Sequence, residues 1–175
     1  MSETITTVYE DGLLRPLLPL PLSPGTTVKI QILNTVNVGY QRRDEIIFGR
    51  PLTEEDYRPK DGHKYFEALS VGKLGQLLEE GCVNPNAGVN YCPRIWEFYS
   101  FGKKWIERGY NAAFSGCVHS VISRPNCPDY VRTQIEEIEV TGSSFDKDFV
   151  SEFKSFAYGA QQRIIKPQQL AAWWD

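Results

Sequence analysis

Two β-prone runs in the second half of the chain decide the fold: residues 110–123 (YNAAFSGCVHSVIS) and residues 130–140 (YVRTQIEEIEV). Both are rich in aromatic and β-branched residues, which favour strands. The segment between them, residues 124–129 (RPNCPD), contains two prolines that interrupt regular structure. The two runs therefore predict a pair of β-strands.

The second run also predicts an irregularity. Apolar and polar residues alternate from Val131 to Ile135, as in a strand with one buried face. The alternation is interrupted at Glu136 and Glu137, and it resumes at Ile138. A β-bulge at the two glutamates would restore the pattern.

Three helices are expected around this pair. The first contains Tyr65, Leu69, Leu74, Leu77 and Leu78 and ends at Gly81, since glycine often follows a helix terminus. The second starts near Pro93 and stops near Gly109. The third is capped by Ser144 and carries an apolar stripe that we expect to be core, formed by Phe145, Phe149, Phe153, Phe156 and Ala160.

The N-terminal segment predicts a small β module. Asp11-Gly12 lies between two β-prone runs, which is a strong hairpin signal because both residues tolerate the positive φ of tight turns. Prolines at 16, 19, 21 and 24 exclude a regular helix from the segment that follows. Beyond them, apolar and polar residues alternate from Val28 to Ile32, as in a half-buried strand.

Residues 8–17 (VYEDGLLRPL), followed by Leu20, Leu22, Gly25 and the run 27–30 (TVKI), resemble a family of small prokaryotic antitoxins. The resemblance implies a short β module that dimerises through its strands and a partner that is a PIN-type ribonuclease toxin. It covers about the first 33 residues, and Asp11 stands where the family more often has Asn. Residues 74–175 are similar to small bacterial proteins of unknown activity.

Residues 34–64 change in character, with charged runs around the apolar island of Ile46, Ile47 and Phe48. The island must dock either on its own domain or on a partner. The first case is the simpler interpretation, because isolated apolar residues in connections are normally covered by their own domain. In the second case, these three residues are the candidate partner-binding residues and are expected to be partly exposed. The predicted domains are a β module at 1–38, a linker at 39–64 and an α+β domain at 65–175. The fold class is α+β, with the antiparallel β module followed by a helix-helix-strand-strand-helix domain.

Composition excludes several classes of protein. Aromatic residues make up 13% of the chain, which is too many for disorder. A net charge of −3 gives no general attraction for nucleic acid, so no nucleic-acid partner is expected. Neither a signal peptide nor a membrane span is recognised, so we expect a cytoplasmic protein, no membrane partner and no disulfides.

Enzymatic motifs for phosphate, dinucleotide or serine chemistry are absent from the sequence. Cys117, His119 and Cys127 remain as an alternative, either as metal ligands with Cys82 or Cys92 or as a cysteine-histidine pair. The glutamates of the second run, with Asp129, are interpreted as a solvated strand face rather than as an acid-base cluster.

The sequence therefore predicts a partner-binding protein that is more simply explained without catalysis or a cofactor. Its specific form, implied by the resemblance, is an antitoxin-like regulator of a ribonuclease toxin. The expected partner is a protein, such as a toxin. An isolated hairpin is marginally stable, so residues 5–33 are also expected to form a homodimer.

Overall fold

The structure is a computed structural model that describes residues 7–10, 13–16, 23, 26, 36–58, 62–88, 91–120 and 132–174. It has two units, residues 1–33 and residues 34–175. In the first unit, β1 (Thr7–Glu10) and β2 (Leu13–Pro16) pair antiparallel, with Tyr9 opposite Leu14. The strands predicted on either side of Asp11-Gly12 are therefore present. The predicted strand at 28–32 lies outside the described residues.

The second unit is built on a five-stranded antiparallel sheet. Its strands are β3 (His63–Ser70), β4 (Asn111–His119), β5 (Thr133–Thr141), β6 (Gln162–Lys166) and β7 (Gln169–Trp173), in the spatial order β3-β4-β5-β7-β6. The two runs that predicted a β pair are the neighbouring strands β4 and β5. Ser115 lies opposite Glu137 whereas Gly116 lies opposite Ile135, so Glu136 is the extra residue of a bulge. The predicted bulge is confirmed.

Four helices accompany the sheet: α1 (Val36–Phe48), α2 (Val71–Glu79), α3 (Ile95–Glu107) and α4 (Lys147–Phe156). The buried strand residues pack against the helices on one face of the sheet, as shown by Phe114 of β4 and Trp174 just after β7, both in edge contact with Phe98 of α3. The α+β class is confirmed. The simple helix-helix-strand-strand-helix order is incomplete, because it omits α1, β3, β6 and β7.

The helix predicted from Tyr65 to Gly81 is only half correct. Residues up to Ser70 form β3, and α2 begins at Val71, with the Ser70 hydroxyl accepting a hydrogen bond from the Lys73 backbone. The register of β3 shifts between Phe66 and Leu69. Because of this shift, both side chains are buried, although they belong to a strand and are three positions apart, a spacing typical of a helix. The pattern was therefore ambiguous between a helix and a bulged strand.

The other two predicted helices are present. Helix α3 ends two residues before Gly109, which has φ +85°. The N-cap of α4 is Asp146 rather than Ser144: its carboxylate accepts a 2.7 Å hydrogen bond from the Phe149 backbone. Phe149 and Phe153 are fully buried, which agrees with the interpretation of their stripe as core.

Residues 39–64, predicted as a linker, include most of α1, a 3-10 turn (Glu54–Asp56) and the start of β3. Helix α1 carries a buried ion pair in which Arg43 Nη2 lies 2.8 Å from Asp44 Oδ1. Arg43 also donates to the Arg132 carbonyl, and the Tyr57 hydroxyl donates to Asp44 at 3.3 Å. Two of the charges that suggested a solvated connection, those of Arg43 and Asp44, are therefore buried and paired inside the domain.

Candidate functional site

The candidate site lies on the face of the sheet that the helices do not cover. Residues paired across antiparallel strands point to the same face, so the register identifies its members. One row runs from Ser115 of β4 to Glu137 of β5 and Trp173 of β7. The next row runs from Ala113 to Glu139 and Ala171. These residues alternate with the buried side chains that face the helices.

An open depression of about 550 Å³ lies on this face. Tyr65 and Trp173 lie at opposite sides of it and are 43% and 37% exposed. The lining also includes four carboxylates and the small residues of the central strands, namely Glu67, Glu136, Glu137, Glu139, Ala113 and Ser115. The arrangement is a shallow acidic surface with exposed aromatic rings at its margins.

The irregular backbone of β3 contributes to this surface. Glu67 and Ala68 lie between the two registers with which β3 pairs to β4, and Ala68 has φ +52°. This left-handed conformation is unfavourable for a residue other than glycine. The bulge therefore presents Glu67 at the edge of the depression at some cost in backbone strain.

Three of the four carboxylates of the depression, those of Glu67, Glu137 and Glu139, are only slightly compensated by other described residues. The Gln169 side-chain amide donates a 2.6 Å hydrogen bond to Glu139. Glu67, Glu137 and Glu139 form no salt bridge with any cation in the described part of the chain. Arg58 lies over the Tyr65 ring, 4.7 Å from its centroid, at the β3 side. The surface thus offers several carboxylates, with aromatic faces suited to a cationic side chain.

The sequence-based alternative, Cys117 with His119 and Cys127, can be examined in part. Cys117 Sγ lies 3.8 Å from His119 Nε2 and 3.5 Å from a Glu136 carboxylate oxygen, and both the cysteine and the histidine are buried. The two side chains are therefore in contact on β4, as a cysteine-histidine pair requires. Cys127 lies outside the described residues, so the proposed trio stays a prediction.

The other two cysteines are held in forms that disfavour nucleophilic chemistry. Burial raises the pKa of the Cys92 thiol to about 12, and its Sγ donates to the Ile135 carbonyl at 3.1 Å. Burial also raises the pKa of Cys82. A thiol with a raised pKa is rarely ionised near neutral pH, and the thiolate is the reactive form. Within the described residues, no three His, Cys, Asp or Glu side chains are grouped as a metal site requires.

The predicted partner-binding residues lie near the end of α1. Ile46 and Ile47 are 5% and 9% exposed and belong to the hydrophobic core, against which Phe48 packs while partly buried. The interpretation that the island docks on its own domain is therefore confirmed for the two isoleucines, and the partial exposure expected of a partner-binding segment is wrong for them. Their contact with a partner stays a prediction.

Residues 1–49 match the family described as AF2212-like. The match covers the first unit and the whole of α1, and it extends beyond the 33 residues that carried the sequence resemblance. The curated proteins contain no match to the chain. The solved structures contain none either.

Among the described helices, none has the length and apolar character needed to cross a membrane.

Sequence reasoning found the glutamates of this face but not their setting. The alternation of β5 placed Glu137 and Glu139 on a polar strand face, which is where they lie. The aromatic members were missed, because Trp173 follows a stretch without clear strand periodicity and Tyr65 was placed in a helix. The sequence pattern that could have indicated a strand is the pair of the exposed Trp173 and the buried Trp174, and an alternation of two residues is too short to identify a strand.

Proposed function

We propose that this chain is a non-enzymatic protein that binds a cationic partner through the helix-free face of its sheet. The observation that carries the proposal is the depression in which Glu67, Glu137 and Glu139 lie without a salt bridge to a described cation, between Tyr65 and Trp173. A partner arginine could stack on the Trp173 ring and pair with Glu137, its cross-strand neighbour. Exposed tryptophan and tyrosine are also the residues most enriched at interface hot spots.

The charge pattern favours a protein partner with a basic surface. Complementary charge accelerates association and selects among partners, and its effect falls as salt screens the surface charges. Nucleic acid does not fit this face, because its phosphates would be repelled by the same carboxylates.

An antitoxin-like regulator of a ribonuclease toxin is the specific form of this proposal. The support is the sequence resemblance of about the first 33 residues, a segment that lies within the AF2212-like match over residues 1–49. A ribonuclease must attract phosphate and therefore carries a basic surface, to which an acidic depression is complementary. Co-purification with the product of a neighbouring nuclease gene, and loss of RNA cleavage on mixing, would support this form. Unchanged cleavage by the bound complex would contradict it.

The binding surface itself can be tested without a known partner. The probe is a capped nine-residue peptide of alternating arginine and threonine, titrated calorimetrically against the full chain. We expect the double variant Glu137→Gln/Glu139→Gln to weaken binding about tenfold, which corresponds to about 1.4 kcal/mol. Trp173→Ala should weaken peptide binding by the same factor at low and at high salt, because this variant removes the stacking on the indole ring and leaves the carboxylates in place.

The matched control is Glu79→Gln/Glu107→Gln, which removes the same two charges from exposed positions on α2 and α3. It should bind the peptide like the unmodified chain. Equal weakening by both double variants would show attraction to net charge alone and would overturn the assignment of this face.

A further inference from the structure

The sheet has an open edge at β6. In the spatial order of the five strands, β6 is terminal, and it pairs only with β7 among the described strands. All five of its residues are exposed, including Ile164 at 42% and Ile165 at 44%. Two adjacent isoleucines on an edge strand are unusual, because an exposed apolar edge invites pairing with another chain.

The register shows that neither face of this strand is covered. Ile165 lies opposite Leu170, on the side of the sheet that carries the helices, yet Leu170 is fully buried. Ile164 lies opposite Ala171, on the helix-free side. Since side chains alternate along a strand, one of the two isoleucines would be buried if the helical layer extended over β6. The layer ends at β7.

The charges of this edge are all of one sign. Arg163 and Lys166 flank the isoleucine pair, and residues 161–169 contain no carboxylate. Pairing β6 with β6 of a second copy would bring four cations into one short ribbon, and in the register that places Ile164 opposite Ile165, Arg163 would face Lys166 directly. Like charges in direct opposition destabilise a strand pair, whereas opposite charges stabilise it.

We propose that the outer edge of β6 is a strand-addition site for an extended, acidic segment of a partner protein. Backbone hydrogen bonds would extend the sheet by one strand. Apolar residues of that segment would lie opposite Ile164 and Ile165, and carboxylates would lie opposite Arg163 and Lys166. The site is separate from the acidic depression and takes a ligand of the opposite charge, so it goes beyond the proposed function.

The test uses two capped nonapeptides that differ only in charge, one with a Glu-Val-Val-Glu core and the other with a Lys-Val-Val-Lys core. Each is titrated against the full chain, and amide hydrogen exchange is followed in the complex. We expect the acidic peptide to slow exchange at residues 162–166 at a concentration at least tenfold lower than the basic peptide requires, since the basic peptide is expected to bind at the acidic depression instead. The double variant Arg163→Glu/Lys166→Glu should reverse the preference between the peptides.

The matched control is Lys147→Glu/Lys154→Glu, which makes the same charge change at exposed positions on α4 and should leave the preference intact. Equal slowing of exchange at residues 162–166 by the two peptides, or slowed exchange in other strands only, would overturn the site. The site would also be overturned if the full chain formed a dimer that the variant Ile164→Lys dissociates, because a second copy of the chain would then occupy the β6 edge. The arginine-rich probe tests the depression through Glu137 and Glu139, whereas exchange at residues 162–166 tests β6, so the two proposals fail separately.

Discussion

At the scale of single residues, Gly102 in the middle of α3 shows how packing overrides helix propensity. A Cβ atom at this position would lie 2.7 Å from Phe114 Cζ and 2.8 Å from Val71 Cγ2, and both neighbours are buried. The helix therefore approaches the sheet more closely than any larger residue would permit. This glycine, which is unfavourable within a helix, is required by the contact between α3 and the sheet.

We predict that Gly102→Ala destabilises the protein by about 1–3 kcal/mol, because overpacking outweighs the gain of about 1 kcal/mol in helix propensity. Gly72→Ala on α2 is the control, since its Cβ would meet nothing nearer than Ser70 Oγ at 4.0 Å. That variant should be neutral or slightly more stable. Urea unfolding of both variants checks the prediction, and equal stability of the two would contradict it.

At the scale of elements, a bidentate ion pair joins α1 to the end of α2. Arg42 Nε donates to Glu80 Oε2 at 2.7 Å and Arg42 Nη2 donates to Glu80 Oε1 at 3.1 Å. The hydrogen bonds from Arg42, followed by one from Gln76, lower the pKa of Glu80 from 4.5 to about 2. In the same helix, Ile46 and Ile47 belong to the hydrophobic core.

The lowered pKa predicts a defined dependence on acid. Because the folded state favours the Glu80 carboxylate, its contribution to stability is complete above about pH 4.5 and is lost as the pH falls towards 2. Glu80→Gln should therefore make the free energy of unfolding fall less steeply between pH 4.5 and 2, as measured by urea titration. Glu79→Gln, at a neighbour without a salt bridge to a described residue, should leave the slope unchanged. A parallel loss of slope in both variants would exclude the Arg42 pair as its source.

At the scale of the whole molecule, the chain divides into two units. The second unit has its own core, in which large side chains such as Trp105 and Phe98 are fully buried. A two-stranded hairpin is marginal in water by itself, and β1 and β2 contain only four residues each. This marginal stability is the reason why we predict self-association through residues 5–33.

We predict that the full chain is a homodimer and that residues 34–175 alone form a folded monomer, as measured by light scattering over a range of concentrations. The physical reason is that two copies of the N-terminal strands can share hydrogen bonds and apolar faces. Circular dichroism of the truncated chain serves as the control for folding. A truncated chain that remains dimeric, or a full chain that is monomeric at high concentration, would contradict the assignment.

The sequence by itself determined those features that depend on local periodicity. The pairing of β4 with β5 and the bulge at Glu136 followed from alternation with a period of two, which any half-buried strand must show. The end of α3 before Gly109 followed from local backbone preference, and the buried stripe of α4 from helical spacing. The carboxylates of the candidate site were visible in the same alternation.

Only the tertiary structure decided the features that depend on distant partners. The sequence of β3 fits a helix equally well, and only its bulged register against β4 shows that it is a strand. The sequence around Arg43 and Asp44 is typical of a solvated segment, and only their contacts with residues 132 and 57 show that they are buried. The acidic depression requires Trp173 to lie beside Glu137, although 36 positions separate them in the chain. Such juxtapositions come from long-range strand pairing. The packing of the whole sheet determines the free energy of this pairing, so the pairing produces no periodic pattern in the local sequence.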